Sequence, residues 1–138
     1  LICKAWKDLL VKFIEPKMFL FYTDSIKNRI FGKYPIPFCK KFDMNGQQDL
    51  KLHNDNSVLT LFVKLNDDFT GCETVFPRQN WDTSNMNVGE LAVWPGVATH
   101  PHYTKKLLSG TKYSLVGRHS ILTQREGEFD DIEFLHKN

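Results

Sequence analysis

The chain has 138 residues, of which 41% are hydrophobic and 25% are charged, and its formal net charge is +2 at pH 7. This length and composition are typical of one globular domain with a single core. No stretch approaches the roughly 20 consecutive apolar residues of a membrane span, so no membrane association is expected. The small net charge argues against a nucleic-acid partner. Local basic runs are expected to lie on solvated faces, namely Lys40-Lys41 and Lys105-Lys106.

The cysteines and the chain ends say little about compartment. Cys3, Cys39 and Cys72 are odd in number and have no CxxC spacing, which argues against a disulfide framework or a zinc site. We expect them to be reduced packing residues. No signal peptide or lipidation motif is visible, but the chain begins at Leu1 and not at Met. The protein is expected to be soluble, but its compartment is not readable from the sequence. A cytoplasmic location is expected only if no signal peptide is missing, and the chain can be a piece of a longer protein.

The first quarter of the chain has helical periodicity. Pro16 suits the first turn of a second helix, and the two prolines within residues 32–37 end the pattern. Two amphipathic helices are therefore predicted between residues 2 and 31. Their apolar residues recur at helical spacing, at Ile2, Trp6, Leu9, Leu10, Phe13, Phe19, Tyr22, Ile26 and Ile30.

Beyond residue 35 the apolar runs become short and rich in Val, Leu, Thr and Phe, as in strands. Turn signals separate them, the last at Ser109-Gly110. Short strands with no helices between them indicate an antiparallel sandwich or jelly roll. The single domain would comprise helical support (1–34), a jelly-roll core (35–122) and a tail (123–138). Strands are predicted at 38–42, 50–53, 58–65, 74–76, 90–94 and 111–122.

Polar residues in the strand-rich part have the composition of an iron site. His53 and Asp55 end a predicted strand, and alternate residues of a strand project the same way. His100 or His102 can supply a third ligand from a neighbouring strand. Two histidines and one carboxylate hold Fe(II) on one face and leave the other face open for a cosubstrate and O₂.

A cosubstrate of the 2-oxo acid type would also need a cation for its remote carboxylate, because a buried unpaired charge is costly. Lys112 lies on the last predicted strand, and Ser114 on the same face offers a hydroxyl to the same carboxylate. Arg118 shares this face and is a candidate contact for substrate or cosubstrate. The ordinary alternatives are an HxD in a surface loop, a histidine in a loop beside a proline, and a lysine that faces solvent.

Three apolar residues are candidates for packing around such a pocket. They are Leu61, Trp94 and Val116. Their alternative role is sandwich core.

Several segments match motifs of one enzyme family in order. The stretch from Lys41-Phe42-Asp43 to His53-Asn54-Asp55 looks like the segment that leads into the HxD of lysyl hydroxylases, and SVLTLFVKLN (57–66) resembles their STFTINVALN strand. FTGCETVFP (69–77) resembles the GGxTxFP element of prolyl 4-hydroxylases, and GELAVWPG (89–96) resembles the family's GxALxxPG strand. Residues 38–122 thus resemble the Fe(II)/2-oxoglutarate dioxygenases of the procollagen lysyl hydroxylase and prolyl 4-hydroxylase group.

The resemblance implies a fold and a site. The fold would be a double-stranded β-helix, or jelly roll, with N-terminal helices packed on one sheet. In the family the cation that binds the 2-oxoglutarate carboxylate lies ten residues after the distal histidine, which selects His102 over His100 as the third ligand beside His53 and Asp55. The same spacing assigns Lys112 to the carboxylate, as in prolyl 4-hydroxylases, where lysyl hydroxylases use arginine. His100 then becomes a candidate for a supporting or substrate-facing role.

The implied activity is an oxidoreductase that uses Fe(II), 2-oxoglutarate and O₂, with ascorbate in support, and hydroxylates a peptidyl lysine or proline with release of succinate and CO₂. Alternatives are an oxygenase for a free amino acid, another small molecule or a nucleobase, a non-catalytic jelly-roll binding module, and a metal-binding cupin without cosubstrate. A homodimer is left open. The chain departs from the family at Phe42, where lysyl hydroxylases have tyrosine, at Cys72, which replaces the second glycine of the GG pair, and at Asn54 between the two ligands. None of these changes removes a metal ligand.

Overall fold

The computed structural model describes residues 2–18, 20 and 36–119. Helix α1 (Ile2–Leu9) continues into a π-helical stretch (Leu10–Ile14) and a short helix α2 (Glu15–Met18). The predicted second helix beyond Met18, the boundary at 34/35 and the tail 123–138 lie outside the described residues. The strands that follow are β1 (Phe38–Asp43), β2 (Leu50–His53), β3 (Leu59–Lys64), β4 (Phe69–Gly71), β5 (Thr74–Phe76), β6 (Trp81–Asp82), β7 (Leu91–Pro95), β8 (His102–Thr104) and β9 (Leu107–His119).

The strands form two antiparallel sheets. The larger sheet has the order β1-β9-β3-β7, with β4 also paired to β9, and the smaller sheet has the order β2-β8-β5-β6. The long strand β9 organises the larger sheet, because it pairs with β1, β3 and β4 along different parts of its length. The prediction of antiparallel sheets, as opposed to a parallel α/β arrangement, is confirmed.

The register of the larger sheet decides which residues face inward. Opposite residues of antiparallel strands share a face, and Val116 of β9 lies opposite both Phe38 of β1 and Phe62 of β3. Phe62 and Val116 pack with Trp94 of β7, Phe76 of the smaller sheet and the loop residue Met86. This cluster joins the two sheets.

The other face of the larger sheet packs against the N-terminal helix. Trp6 and Leu10 are almost fully buried there against Leu61. Gly117 of β9 makes the close approach possible, because a β-carbon at this position would lie 2.4 Å from the Trp6 ring. The predicted helical support on one sheet is confirmed for residues 2–18.

The π-helical stretch accounts for the position of Pro16. The backbone N–H of Glu15 donates to the carbonyl of Leu10, five residues earlier, where a regular α-helix would use the fourth. The wider turn precedes Pro16, whose ring has no N–H to donate. The second helix predicted to begin at this proline therefore follows the first through a change of helical pitch, without a loop.

Three short strands and one turn differ from the prediction. β4, β6 and β8 were not predicted, and each has only two or three residues. Ser109-Gly110 was predicted as a turn but lies within β9, paired with Thr70 and Phe69 of β4. Gly110 has a φ of 78°, a backbone conformation that favours glycine. The glycine therefore allows β9 to bend at a position where it is still paired with β4. β9 consequently begins at Leu107, four residues before the predicted start.

The cysteines are all free, as expected, but only Cys72 is buried, whereas Cys3 and Cys39 are exposed. The packing role predicted for all three therefore holds for Cys72 alone. Within the described part of the chain, no helix has the length and apolar character needed to cross a membrane.

Candidate metal and cosubstrate site

The smaller sheet brings His53, Asp55 and His102 together. His53 at the end of β2 lies directly opposite His102 at the start of β8, and Asp55 follows β2 by two residues. The Nε2 atom of His53 lies 3.7 Å from Asp55 Oδ1, and the Nε2 atom of His102 lies 3.6 Å from Asp55 Oδ2. One ligand atom from each residue falls within 4.8 Å of the others.

Backbone carbonyls orient both imidazole rings. His53 Nδ1 is 2.8 Å from the carbonyl of Lys51, and His102 Nδ1 is 2.9 Å from the carbonyl of His100. A carbonyl only accepts hydrogen bonds, so each Nδ1 carries a proton, and in the neutral form of either ring the lone pair lies on Nε2. Both lone pairs belong to the atoms that face Asp55. Such fixing of the ring through its other nitrogen is usual for metal-binding histidines.

Three donors hold the carboxylate of Asp55, which is 4% exposed. Thr60 Oγ1 and Trp94 Nε1 donate to Oδ2 at 2.7 and 3.1 Å, and a nitrogen of Arg118 donates to Oδ1 at 2.9 Å. Burial alone would raise the pKa of Asp55, but the Thr60 hydrogen bond, the charges of His102 and Arg118 and the Trp94 hydrogen bond outweigh it and lower the pKa below its ordinary value. Asp55 is therefore ionised at neutral pH.

His102 has the complementary protonation state. Burial lowers the pKa of its imidazole, although the carbonyl of His100 and the charge of Asp55 oppose this effect. At neutral pH the site thus offers one ionised carboxylate and a neutral imidazole with a free nitrogen, which is the state that a divalent metal requires of its ligands. The donor set of two nitrogens and one oxygen fits Fe(II).

A cavity of about 380 Å³ is lined by these three residues and by Lys112. The Lys112 side chain is 2% exposed. Its Nζ donates to the carbonyl of Cys72 at 2.6 Å and lies 5.4 to 5.8 Å from the ring centres of Phe42, Phe62 and Phe69. No carboxylate pairs with it within the described part of the chain. Burial lowers the pKa of Lys112 to about 8.

Ser114 lies two residues further along the same face of β9. Its side chain is fully buried, and its Oγ has no hydrogen-bond partner among the described residues. An orphaned buried hydroxyl costs stability. Ser114 is not among the residues that line the cavity, whereas Lys112 is. A carboxylate beside Lys112 would satisfy the ammonium group, so this part of the cavity fits a dicarboxylate cosubstrate.

The remaining predicted residues divide into two groups. Trp94, Val116 and Arg118 line the cavity, as the sequence suggested. Leu61 does not, because it lies on the opposite face of β3 and packs against the N-terminal helix. Its alternative role as core is the observed one.

His100 does not line this cavity either. Its ring lines a neighbouring depression with Phe76 and Trp81, and its Nδ1 pairs with Thr99 Oγ1 at 2.8 Å. Its contribution to the site is its backbone carbonyl, which receives the hydrogen bond from His102 Nδ1.

Sequence reasoning missed two residues of the site. Thr60 lies opposite Arg118 and Trp94 in the sheet, and only the strand register shows that its hydroxyl reaches Asp55. Lys40 was expected to face solvent with Lys41. Both lysines are among the residues that line the cavity. The expectation was wrong for Lys40, which lies on the inner face of β1 opposite Ser114 and is half-buried, and it holds for Lys41, which is exposed.

Two departures from the family motifs also lie here. Phe42 is 1% exposed and supplies a ring wall to the Lys112 ammonium group in place of a phenol. Cys72 is fully buried and has a φ of 63°, a conformation that favours glycine. The carbonyl of this strained residue is the one that holds Lys112.

Comparisons with known proteins agree with these observations. No protein-family model matches the chain. A procollagen lysyl hydroxylase and glycosyltransferase of Acanthamoeba polyphaga mimivirus is 28% identical over 118 residues, which is 82% of this chain and 12% of the relative. The human procollagen-lysine,2-oxoglutarate 5-dioxygenase 2 is 29% identical over 118 residues, which is 81% of this chain and 15% of the relative. The chain therefore spans only a small part of these relatives.

A solved structure resembles the fold. The oxidoreductase of the 2OG-Fe(II) oxygenase family from Burkholderia pseudomallei superposes with a TM-score of 0.61 at 18% sequence identity, covering 86% of this chain and 56% of the other. At this identity the likeness shows the fold, and it confirms the predicted double-stranded β-helix. The resemblance to the Fe(II)/2-oxoglutarate dioxygenases, with lysyl hydroxylases among the similar sequences, is therefore confirmed.

Proposed function

We propose that this chain is an Fe(II)/2-oxoglutarate-dependent dioxygenase domain that hydroxylates an aliphatic C–H bond and releases succinate and CO₂. One observation carries the proposal. A single cavity contains three mutually close ligand atoms, from His53, Asp55 and His102. It also contains the buried ammonium group of Lys112, which has no carboxylate partner among the residues that the structure describes. A metal-binding cupin without cosubstrate would leave Lys112 unexplained.

In this proposal His53, Asp55 and His102 hold the iron. Iron bound in this way supplies the activation of O₂ and the oxidative decarboxylation of 2-oxoglutarate. The protein's part is to present two imidazole lone pairs and one carboxylate in fixed orientation. The carbonyls of Lys51 and His100 fix the rings.

Thr60, Trp94 and Arg118 fix the carboxylate of Asp55 and keep it ionised. The Trp94 ring also packs edge-on against His102, with their centres 5.3 Å apart. Losing any one of these contacts frees a ligand to rotate away, and supporting groups of this kind typically contribute about 10- to 100-fold to metal affinity or activity.

Lys112 and Ser114 bind the remote carboxylate of the cosubstrate. The aromatic walls from Phe42, Phe62 and Phe69 exclude water around the ammonium group, which strengthens its attraction for an anion. The ammonium group already points one hydrogen at Cys72 and has two more to donate.

The substrate proposed from the family resemblance is a peptidyl lysine or proline. The names of the two relatives, which refer to procollagen lysine, support a peptidyl substrate. A free amino acid, another small molecule or a nucleobase remains the alternative within the enzyme class, and a non-catalytic binding module is the alternative outside it.

Succinate formation from 2-oxoglutarate, with Fe(II), O₂ and ascorbate as a supporting reductant, tests the proposal. Asp55→Ala should abolish it, because the carboxylate ligand is lost. Asp49→Ala is a matched control, since Asp49 is exposed, precedes β2 and does not line the cavity. Full succinate formation by Asp55→Ala would refute the proposed site. Absence of any metal or 2-oxoglutarate binding by the unmodified protein would favour the non-catalytic module.

A further inference from the structure

The cavity has more positive charge than the proposed metal and cosubstrate neutralise. Four cationic side chains line it, Lys40, Lys41, Lys112 and Arg118, with Asp55 as its carboxylate. Asp43 pairs with Lys41, which leaves three cations. A divalent ion and the dianion 2-oxoglutarate cancel each other, and Asp55 balances one of the three cations. Two positive charges are left. A cavity with a net charge in a partly desolvated setting attracts a ligand of opposite charge.

Lys40 is the cation that the proposed function does not use. It lies on the inner face of β1, directly opposite Ser114 of β9, and its Nζ is 4.7 Å from the centre of the Phe42 ring. Within the described residues it has neither a hydrogen bond nor an ion pair. Burial lowers the pKa of Lys40, and the charge of Arg118 adds to this effect while that of Asp55 opposes it. The fold thus holds this ammonium group at a cost in stability.

The adjacent lysine has the opposite character. Lys41 is exposed, and its Nζ lies 2.8 Å from Asp43 Oδ2 on the same strand. Two neighbouring lysines therefore differ in whether a carboxylate of the protein neutralises them. This makes Lys41 a matched control for Lys40.

Arg118 has N–H donors that Asp55 does not use. One of its nitrogens bonds to Asp55 Oδ1 at 2.9 Å, and its side chain is 44% exposed. Its guanidinium carbon lies 5.6 Å from the centre of the Phe38 ring. A guanidinium group has five N–H donors in a planar fork that matches the two oxygens of a carboxylate. Lys40 and Arg118 lie on the same inner face, at Asp55, where a substrate must approach the metal.

We propose that Lys40 and Arg118 bind a carboxylate of the primary substrate, so that the substrate is a free carboxylic acid or an acidic peptide segment. This inference rests on the proposed function and narrows its substrate class. The cavity of about 380 Å³ also has to hold 2-oxoglutarate, which leaves room for a small anionic group. A substrate recognised by a side-chain ammonium group, such as an isolated lysine, would meet like charges here.

Binding in the absence of turnover tests this proposal. Protein loaded with Mn(II) in place of Fe(II) is saturated with 2-oxoglutarate, and both binding steps are measured by calorimetry. Two matched probe pairs are then titrated. N-acetyl-L-proline against N-acetyl-L-prolinamide represents the free acid, and acetyl-Gly-Pro-Asp-Gly-amide against its Asn counterpart represents the peptide.

We expect at least one carboxylate probe to bind roughly tenfold or more tightly than its uncharged partner, as is usual for a charge-assisted hydrogen bond. The probe pair that shows this difference tells whether the carboxylate belongs to a free acid or to an acidic peptide. Lys40→Gln should remove the difference, Lys40→Arg should retain it, and Lys41→Gln should leave it unchanged. Retained binding of Mn(II) and 2-oxoglutarate by Lys40→Gln shows that the variant is folded.

Equal binding of charged and uncharged probes, or no binding of either carboxylate probe, would overturn the inference. Weakened 2-oxoglutarate binding by Lys40→Gln with unchanged probe binding would also overturn it, by assigning Lys40 to the cosubstrate. Failure of the unmodified protein to bind Mn(II) or 2-oxoglutarate would instead refute the proposed function. The two failures are thus distinguishable.

Discussion

Replacing Lys112 by methionine should make the ligand-free protein more stable while it loses 2-oxoglutarate binding. Methionine has a similar length and no charge, so it can fill the space between the Phe42, Phe62 and Phe69 rings. The wild-type ammonium group is almost fully buried without a carboxylate partner among the described residues. Folding therefore places a charge in surroundings that disfavour it.

The size of the effect follows from the pKa. Burial lowers the pKa of Lys112 from the ordinary 10.5 to about 8, and each pH unit between these values corresponds to about 1.36 kcal/mol. The charged form of Lys112 therefore costs about 3 kcal/mol of the free energy of unfolding below pH 8. For a chain of this size, this is on the order of 10 °C in Tm.

The sign of the pH dependence follows by linkage. Between pH 8 and 10.5 the unfolded chain binds more protons at this lysine than the folded protein does, so wild-type stability from this group rises with pH. The advantage of Lys112→Met should be about 3 kcal/mol at pH 7 and should shrink towards zero by pH 10.5. Lys41→Met, at an exposed and ion-paired lysine, should bring no such gain.

Urea denaturation of the ligand-free proteins at a series of pH values measures this difference. Calorimetry at pH 7 measures the loss of 2-oxoglutarate binding. If Lys112→Met were less stable than wild type at pH 7, or if the difference did not change with pH, Lys112 would not be a buried unpaired cation. Undiminished 2-oxoglutarate binding by the variant would show that this lysine is not its binding site.

Three further predictions concern the site and the fold. The affinity for 2-oxoglutarate should fall above pH 8, as Lys112 loses its proton, and calorimetry in buffers of different ionisation enthalpy should detect proton uptake on binding there. Ser114→Ala should weaken 2-oxoglutarate binding by about tenfold without lowering the urea midpoint of the ligand-free protein, because its buried hydroxyl has no hydrogen-bond partner among the described residues. Thr60→Val should raise the pKa of Asp55. As the pH is lowered, metal affinity, measured by competition with a chelator, should therefore begin to decline at a higher pH than in wild type.

Each of these predictions has a contradicting result. A 2-oxoglutarate affinity that is constant from pH 7 to 10 would show that binding does not depend on the charge of Lys112. Destabilisation of the ligand-free protein by Ser114→Ala would mean that the hydroxyl is already satisfied. An unchanged pH dependence of metal binding in Thr60→Val would mean that this hydroxyl does not control Asp55.

The candidate metal-binding cluster could be predicted in part from residues that are close together in the sequence. His53 and Asp55 are two residues apart, and the alternation of a strand end brings them together without any knowledge of the fold. Choosing His102 over His100 required the family spacing to Lys112. The structure places His102 directly opposite His53 in the sheet, and that pairing involves β8, a strand too short to recognise from periodicity.

For the larger sheet, the alternation of residues along a strand does not show which face points towards the cavity. Apart from Lys64 at its end, strand β3 has hydrophobic or uncharged residues on both faces, because one face meets the other sheet and the opposite face meets Trp6 and Leu10. Period-two reasoning groups Leu61 with Leu59 and Val63, but it does not say which group faces the cavity. For this reason Leu61 was a candidate and Thr60 was not.

The position of Lys40 on the cavity side of β1 was not predicted, for a related reason. Adjacent residues of a strand face opposite ways, so a Lys-Lys pair places one lysine on each face. Composition alone favours solvent for both. Only the pairing of β1 with β9, which sets Lys40 opposite Ser114, shows that one of them faces the cavity.

A crystal structure of the protein with Fe(II) and 2-oxoglutarate, prepared without oxygen, tests the central claim most directly. Anomalous scattering at the iron edge should give one strong peak in contact with His53, Asp55 and His102, and density for 2-oxoglutarate should extend from it to Lys112 and Ser114. An iron peak at other residues, or a cosubstrate whose remote carboxylate does not reach Lys112, would contradict the account.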